Sequence, residues 1–225
     1  MSNFSWIQYH ILAELTRHKD RRYSQLRPRD VEGNLFMYHL KGLMGEGLVE
    51  KLDKQYQLTA KGLQFAATLS LSTGRTRKQP QILVAVVAKN EKGEYLWSRW
   101  HRQPNTGMVS FPHGMMHYGE RAVDMAALEL AEKAGLEGDL SHMGEVYVRV
   151  ALSGELDGHI LVHIFEVSNY RVGRQDELRT DMSEAFWAPL TDMSKADFLP
   201  GFYEIANMVD SRGDCAIFED ITVEL

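Results

Sequence analysis

Cysteine is nearly absent from this sequence of 225 residues; the single copy, Cys215, excludes an internal disulfide and suits a reducing compartment. Missing too is any apolar run near the roughly 18 residues that a membrane-spanning helix needs. The first residues lack the charged, apolar and small-residue sections of a secretory signal, so a cytoplasmic protein with no membrane partner is expected. No internal repeat or low-complexity tract is visible, which sets aside repeat arrays and biased segments. What is present is ordinary: 44% hydrophobic and 25% charged residues fit a globular chain and argue against wholesale disorder. The length suits one large domain or two small ones.

Positive charge is scarce overall, with a formal net charge of −6, but it is unevenly spread. Residues 1–80 hold 13 Lys and Arg against 7 Asp and Glu, a net of +6; residues 81–225 hold 12 against 24, a net of −12. A basic segment on an acidic protein suggests that this segment meets a polyanion. The bland alternative is a chance excess of solvated lysines and arginines.

Helical periodicity is expected from Ser5 to His18, with Trp6, Ile7, Ile11, Leu12 and Leu15 as its apolar stripe. A short helix around Tyr23–Leu26 follows, then a longer one over Val31–Glu46, where Phe36, Leu40 and Leu43 take core positions. Leu48–Leu52 and Gln55–Thr59 read as two strands of a β-hairpin joined at Asp53-Lys54, and Ala60–Leu69 as a closing helix. In this order, Asn34–Lys51 and Tyr56–Gly62 resemble the winged helix-turn-helix DNA-binding domain of bacterial repressors. The resemblance covers about the first seventy residues and implies duplex DNA as a partner, with Val31–Glu46 as the recognition helix in the major groove. It makes Asn34, Tyr38, His39 and Lys41 candidate base or phosphate contacts, and puts Lys51, Lys54 and Gln55 on or near the wing. Winged helices commonly act in pairs, so a homodimer is expected. A winged helix used only for protein contacts stays open, and a histidine such as His39 can equally be packed or solvated.

Ser70–Gln81 is polar and contains Gly74, Pro80 and the basic residues Arg75, Arg77 and Lys78. The expected division is a winged-helix domain over 1–72, a basic linker over 73–81 and a second domain over 82–225. From Ile82 the pattern turns strand-rich. Strands are expected over Ile82–Ala88, Glu94–Trp100, Val146–Leu152 and His159–Val167, the last two separated by a Gly154–Gly158 turn. Ala185-Phe186-Trp187 reads as another strand, after Glu184, and Phe202–Val209 as a late helix.

Between these strands lies Phe111–Leu136, FPHGMMHYGERAVDMAALELAEKAGL, a glycine-containing loop feeding a run of good helix formers that Gly135 stops. Val123, Ala126, Ala127, Leu130 and Ala134 recur at helical steps and should face a core. Glu129 and Glu132, three apart, share a neighbouring face, where a hard divalent cation could meet a substrate phosphate.

These residues resemble the Nudix box, G-x5-E-x7-R-E-U-x-E-E-x-G-U with U aliphatic. Gly114, Glu120, Glu129, Leu130, Glu132, Gly135 and Leu136 match seven of its nine defined positions; Leu128 replaces the arginine and Lys133 the last glutamate. The resemblance implies a C-terminal Nudix α/β/α sandwich with a mixed sheet, and hence an α+β two-domain protein. It implies Mg2+ or Mn2+ held by Glu129 and Glu132, with Glu120 as an auxiliary ligand or base, so Glu120, Glu129 and Glu132 are the catalytic candidates. An ammonium at Lys133 shifts the local charge by about two units against a second cation, yet could hold a phosphate as a point charge. Gly114, Lys133, Arg99 and Arg102 are therefore candidate ligand or phosphate contacts, with Trp100 beside them. His113 and His117 could touch a ligand or be solvated.

Two functions are compatible with this pattern. One is a DNA-binding transcription regulator whose Nudix domain senses a nucleotide-type metabolite. The other is a metal-dependent Nudix hydrolase of nucleoside-diphosphate-linked substrates, with an accessory winged-helix domain.

Overall fold

Ser5 opens the first helix of the computed structural model, its side chain accepting from the Gln8 backbone while the Gln8 side chain reaches back to the Ser5 N–H. The structure describes residues 4–70, 75–172, 183–213 and 215–225. The chain divides into two units, Met1–Lys78 and Gln79–Leu225.

In the first unit α1 (Trp6–Arg17) is followed by β1 (Arg21–Arg22), α2 (Tyr23–Leu26) and α3 (Gly33–Gly45). Next come β2 (Val49–Leu52), β3 (Gln55–Leu58), α4 (Ala60–Ala67) and the short pair β4 (Leu69–Ser70) and β5 (Arg75–Thr76). Ile7, Ile11, Leu12 and Leu15 of α1 pack with Phe36, Leu40 and Leu43 of α3, Leu26, and Tyr56 and Leu58 of β3. Each such side chain contributes about 1.5–3 kcal/mol on burial. Trp6, expected in the apolar stripe, is 59% exposed. At 100° per residue it falls on the face opposite the stripe that Ile7, Ile11, Leu12 and Leu15 bury. β1, β3 and β2 form an antiparallel sheet in that order. Leu69, expected to end the closing helix, instead joins Ser70 in a strand paired with Arg75–Thr76 at the start of the expected linker; residues 71–74, Gly74 among them, lie outside the described residues.

The second unit begins with β6 (Gln81–Val87), β7 (Tyr95–Trp100), β8 (Val109–Ser110) and β9 (His113–Met115), followed by α5 (Ala122–Ala134). A long hairpin follows, β10 (Leu136–Leu152) with β11 (Glu155–Val172), and then β12 (Ser183–Ala188), α6 (Phe202–Ser211) and β13 (Ile217–Glu224). The main sheet is mixed, in the order β13-β10-β11-β6-β9, and β12-β7-β8 forms a smaller antiparallel sheet. Alternate residues of β6 feed two cores, which is why the strand reads as a continuous apolar run. Val84 and Val86 pack with Met125, Ala126, Leu130 and Ala134 of α5. Ala85 and Val87 share the other core with Phe202, Ile205 and Val209 of α6.

Three expectations need correction here. Ala127 is exposed and Met125 takes its place in the core, so the buried stripe of α5 is rotated from the one expected. The β10–β11 hairpin is far longer than the two short strands expected, and it turns at Ser153-Gly154, both at positive φ, rather than over Gly154–Gly158. An extra residue in β10, at the register shift between His142 and Gly144, breaks the two-residue alternation that would have marked its full length. The last strand, β13, was not expected at all.

Candidate functional site

In the second unit β9 and α5 meet at one mouth of a cavity of about 730 Å³. Its walls are mainly apolar, with Leu83, Trp100, Val150, Ile160, Leu199 and Phe202 prominent, and its polar groups converge from His113, Glu129, Glu132 and Lys133. That composition and size suit a small-molecule site.

Gly114 is the reason the two elements can touch. A Cβ at this position would collide with the carboxylate of Glu129, so only glycine lets the helix side chain lie against the strand. Glu129 is buried, and the ammonium of Lys133, one turn on, stands 2.7 Å from its Oε2. The same ammonium donates to the His113 carbonyl and lies 4.8 Å from the centroid of the Trp100 ring. With side chains only 8% and 13% exposed, Glu129 and Lys133 form a desolvated pair, and removal of either would strand the other's charge.

His113 completes the group. Its ring is buried between Trp100 and Phe202, with centroids 5.1 and 4.8 Å away. Burial, followed by the charge of Lys133, pushes its pKa down to about 3 against the opposing pull of the Phe111 carbonyl. That carbonyl can only accept, so Nδ1, 3.1 Å away, carries the proton of a neutral ring. Ser110 Oγ lies 3.0 Å from the same nitrogen and accepts from Trp100 Nε1. The sequence left His113 open between ligand contact and solvation; in the structure it is a packed, neutral wall of the cavity.

The other candidate residues divide. Glu132 is exposed and lines the cavity beside Glu129. Glu120 does not line it; exposed, it accepts from the His117 backbone N–H and stands 3.1 Å from His117 Nδ1. Arg99 donates to the Gly107 carbonyl and lies over the Phe186 ring, and Arg102 is exposed; neither is among the cavity's walls. Trp100, Asn105, Phe202 and Gln81 are walls, and only Trp100 among them had been singled out from sequence. No local motif marks the rest, because they arrive from three separate stretches of chain.

The donor set fits a magnesium or manganese ion poorly. Of the two carboxylates facing the cavity, Glu129 already holds an internal cation, and Lys133 Nζ repels another close by. Glu132 alone is left with no ion pair among the described residues.

In the first unit, Asn34, Tyr38 and Lys41 lie on the exposed side of α3, Tyr38 being 73% exposed. Asn34 is within reach of Glu32, its Nδ2 donating to Oε1 over 3.2 Å. Lys51 and Lys54 are exposed on the β2–β3 hairpin, Lys51 5.7 Å from the Tyr56 ring. His39 is different: its Nδ1 meets Ser5 Oγ at 3.1 Å, fastening α3 to the start of α1.

The NUDIX domain family model matches residues 79–207. No curated protein matches the chain. Among solved structures, the MutT protein from Bacillus halodurans is 14% identical, with a TM-score of 0.51 over 64% of this chain and 89% of that one. The MutT NUDIX hydrolase from Burkholderia pseudomallei is 16% identical, with a TM-score of 0.49 over 59% and 99%. The NUDIX domain of Shewanella oneidensis NrtR complexed with ADP ribose is 15% identical, with a TM-score of 0.48 over 69% and 99%. At 14% identity the likeness to the Bacillus halodurans protein speaks to fold alone. The family match spans more than half of the sequence and takes in every strand of the main sheet but β13, the cavity, and the loop and helix at its mouth: the chain belongs to the NUDIX domain family.

Proposed function

We propose that this protein is a DNA-binding regulator that responds to a nucleotide-type metabolite, with the Nudix domain as sensor and the first unit as a winged helix. The observation that carries the reading is the Glu129–Lys133 pair. In the Nudix box that the sequence resembles, this helix presents carboxylates to divalent cations. Here an ammonium occupies the last of those positions and neutralises the first. A site so arranged retains a shaped cavity, an aromatic wall at Trp100 for a base to stack on, and polar groups to orient a ligand. It gives up the cluster of negative charge that gathers metal around a diphosphate.

The first unit supports the DNA half of the proposal through its charge and its exposed residues. Residues 1–80 carry a net of +6 in a protein of net −6. Asn34, Tyr38 and Lys41 follow one another at steps of four and three along α3, and Lys51 and Lys54 extend from the hairpin. His39, bound to Ser5, is better read as a fastening of the domain than as a reader of bases.

The test is a pair of assays on the full chain. Duplex DNA should be bound with an affinity that falls steeply as salt rises, because each phosphate contact releases condensed counterions. Nucleoside triphosphates, ADP-ribose and NADH should show little or no turnover with Mg2+ or Mn2+. Lys133→Glu should raise metal affinity. Brisk wild-type hydrolysis that collapses in Glu132→Gln, together with no DNA binding at any salt, would instead make this a Nudix hydrolase with an accessory domain.

A further inference from the structure

Two histidines and a glutamate meet on the main sheet away from the cavity. Glu145 of β10 and His163 of β11 are direct cross-strand partners, with His163 Nδ1 3.4 Å from Glu145 Oε1. His142 joins them through a β-bulge. Residues three apart on a regular strand point to opposite faces, so His142 and Glu145 would ordinarily be separated by the sheet. The register shift between His142 and Gly144 inserts one extra residue, and His142 then pairs with Phe165, on the same face as His163. Gly144 makes the bulge possible. Its φ is 143°, and a Cβ there would collide with the backbone of Ile217 on β13. The outcome is that donor atoms of His142, Glu145 and His163 all lie within 4.8 Å of one another.

We propose that His142, Glu145 and His163 form a binding site for zinc, or for a first-row divalent ion of similar ligand preference. Two ligands about 2.0–2.2 Å from one zinc at the tetrahedral angle stand roughly 3.4 Å apart. The Glu145–His163 pair already has that separation, and His142, the exposed member, closes the remaining gap by a side-chain movement. Imidazoles with one carboxylate select zinc, cobalt, nickel or copper over magnesium, which prefers an all-oxygen shell. Three protein ligands leave a fourth position for water or an incoming ligand. The site is distinct from the cavity. His163 is in register with Val84, on the face that α5 covers, whereas Leu83 of the cavity wall is in register with Val162 in the opposite core. Metal there would tie β10 to β11 across the bulge.

Equilibrium dialysis of the untagged full chain against zinc, with magnesium in large excess, tests this directly. One zinc per chain should be retained, and the thermal midpoint of the second unit should rise. His142→Ala and His163→Ala should each weaken binding by more than the roughly 10–100-fold typical of losing an outer-shell partner. Glu145→Gln, which keeps size and hydrogen bonding, should weaken it through lost charge. His142 is exposed, so its variant tests binding without endangering the fold. Measurements are repeated in Cys215→Ser to remove the chain's one thiol as an alternative ligand. Zinc uptake equal in wild type and the His142→Ala, His163→Ala double variant would overturn the site, as would uptake lost in Glu132→Gln instead, or no uptake at all.

Discussion

His113 illustrates how a single residue can make an internal site sensitive to pH. Its folded pKa of about 3 lies below the ordinary histidine value of 6.5, for reasons of burial and the neighbouring Lys133 charge. Between those values the unfolded chain takes up a proton that the folded chain refuses, so stability falls as pH falls. From pH 7 to pH 5 the loss should be about 2 kcal/mol for this residue. Denaturant unfolding at pH 7 and pH 5, followed by tryptophan fluorescence, checks the expectation. The second unit holds Trp97, Trp100 and Trp187, three of the four tryptophans, so its transition dominates the signal. His113→Gln should flatten the pH dependence, and an unchanged slope would mean that other groups set it. The sequence made Gly114, Glu129 and Lys133 legible as neighbours because helical spacing and the box pattern are local. It could not reveal that Lys133 turns inward to Glu129 and the His113 carbonyl, since that depends on how closely β9 approaches α5.

At the level of elements, helices and short strands could be read wherever one periodicity held. The helices α1, α3 and α4 and the β2–β3 hairpin all fall within a few residues of their expected bounds. β10 could not be read, because the extra residue between His142 and Gly144 changes which face the residues beyond it occupy. The same irregularity brings His142 beside Glu145, so the feature that hid the strand also built the cluster. For α3 and the hairpin, the exposed residues make separable predictions about DNA. Lys41→Ala and Lys54→Ala should weaken binding to all sequences alike and reduce the slope of log affinity against log salt by about one each. Asn34→Ala should change sequence preference by roughly 1–3 kcal/mol at one position if the side chain leaves Glu32 for a base edge. His39→Ala should act through stability, by releasing the start of α1, and leave sequence preference as it was. Binding titrations over a panel of single-base variants separate these outcomes.

For the whole molecule, the proposed division of labour carries a thermodynamic obligation. If a ligand in the Nudix cavity alters affinity for DNA, DNA must alter affinity for that ligand by the same factor. Couplings of this kind are typically about 1–3 kcal/mol, or roughly 5–150-fold, which calorimetry resolves. Pairing of winged helices offers one physical route. A homodimer binds two half-sites at a fixed spacing, so a ligand that changes the separation of the DNA-binding units mis-sets both at once. Nucleotides should therefore be titrated into the full protein with and without its DNA, and the dissociation constants compared. Lys133→Met supplies the control at the sensing end: it removes the ammonium beside Trp100 and strands the Glu129 carboxylate, so ligand affinity should change while DNA affinity without ligand stays put. Equal ligand affinities in the presence and absence of DNA, for a nucleotide whose binding Lys133→Met disturbs, would mean that the two units share a chain but not an equilibrium.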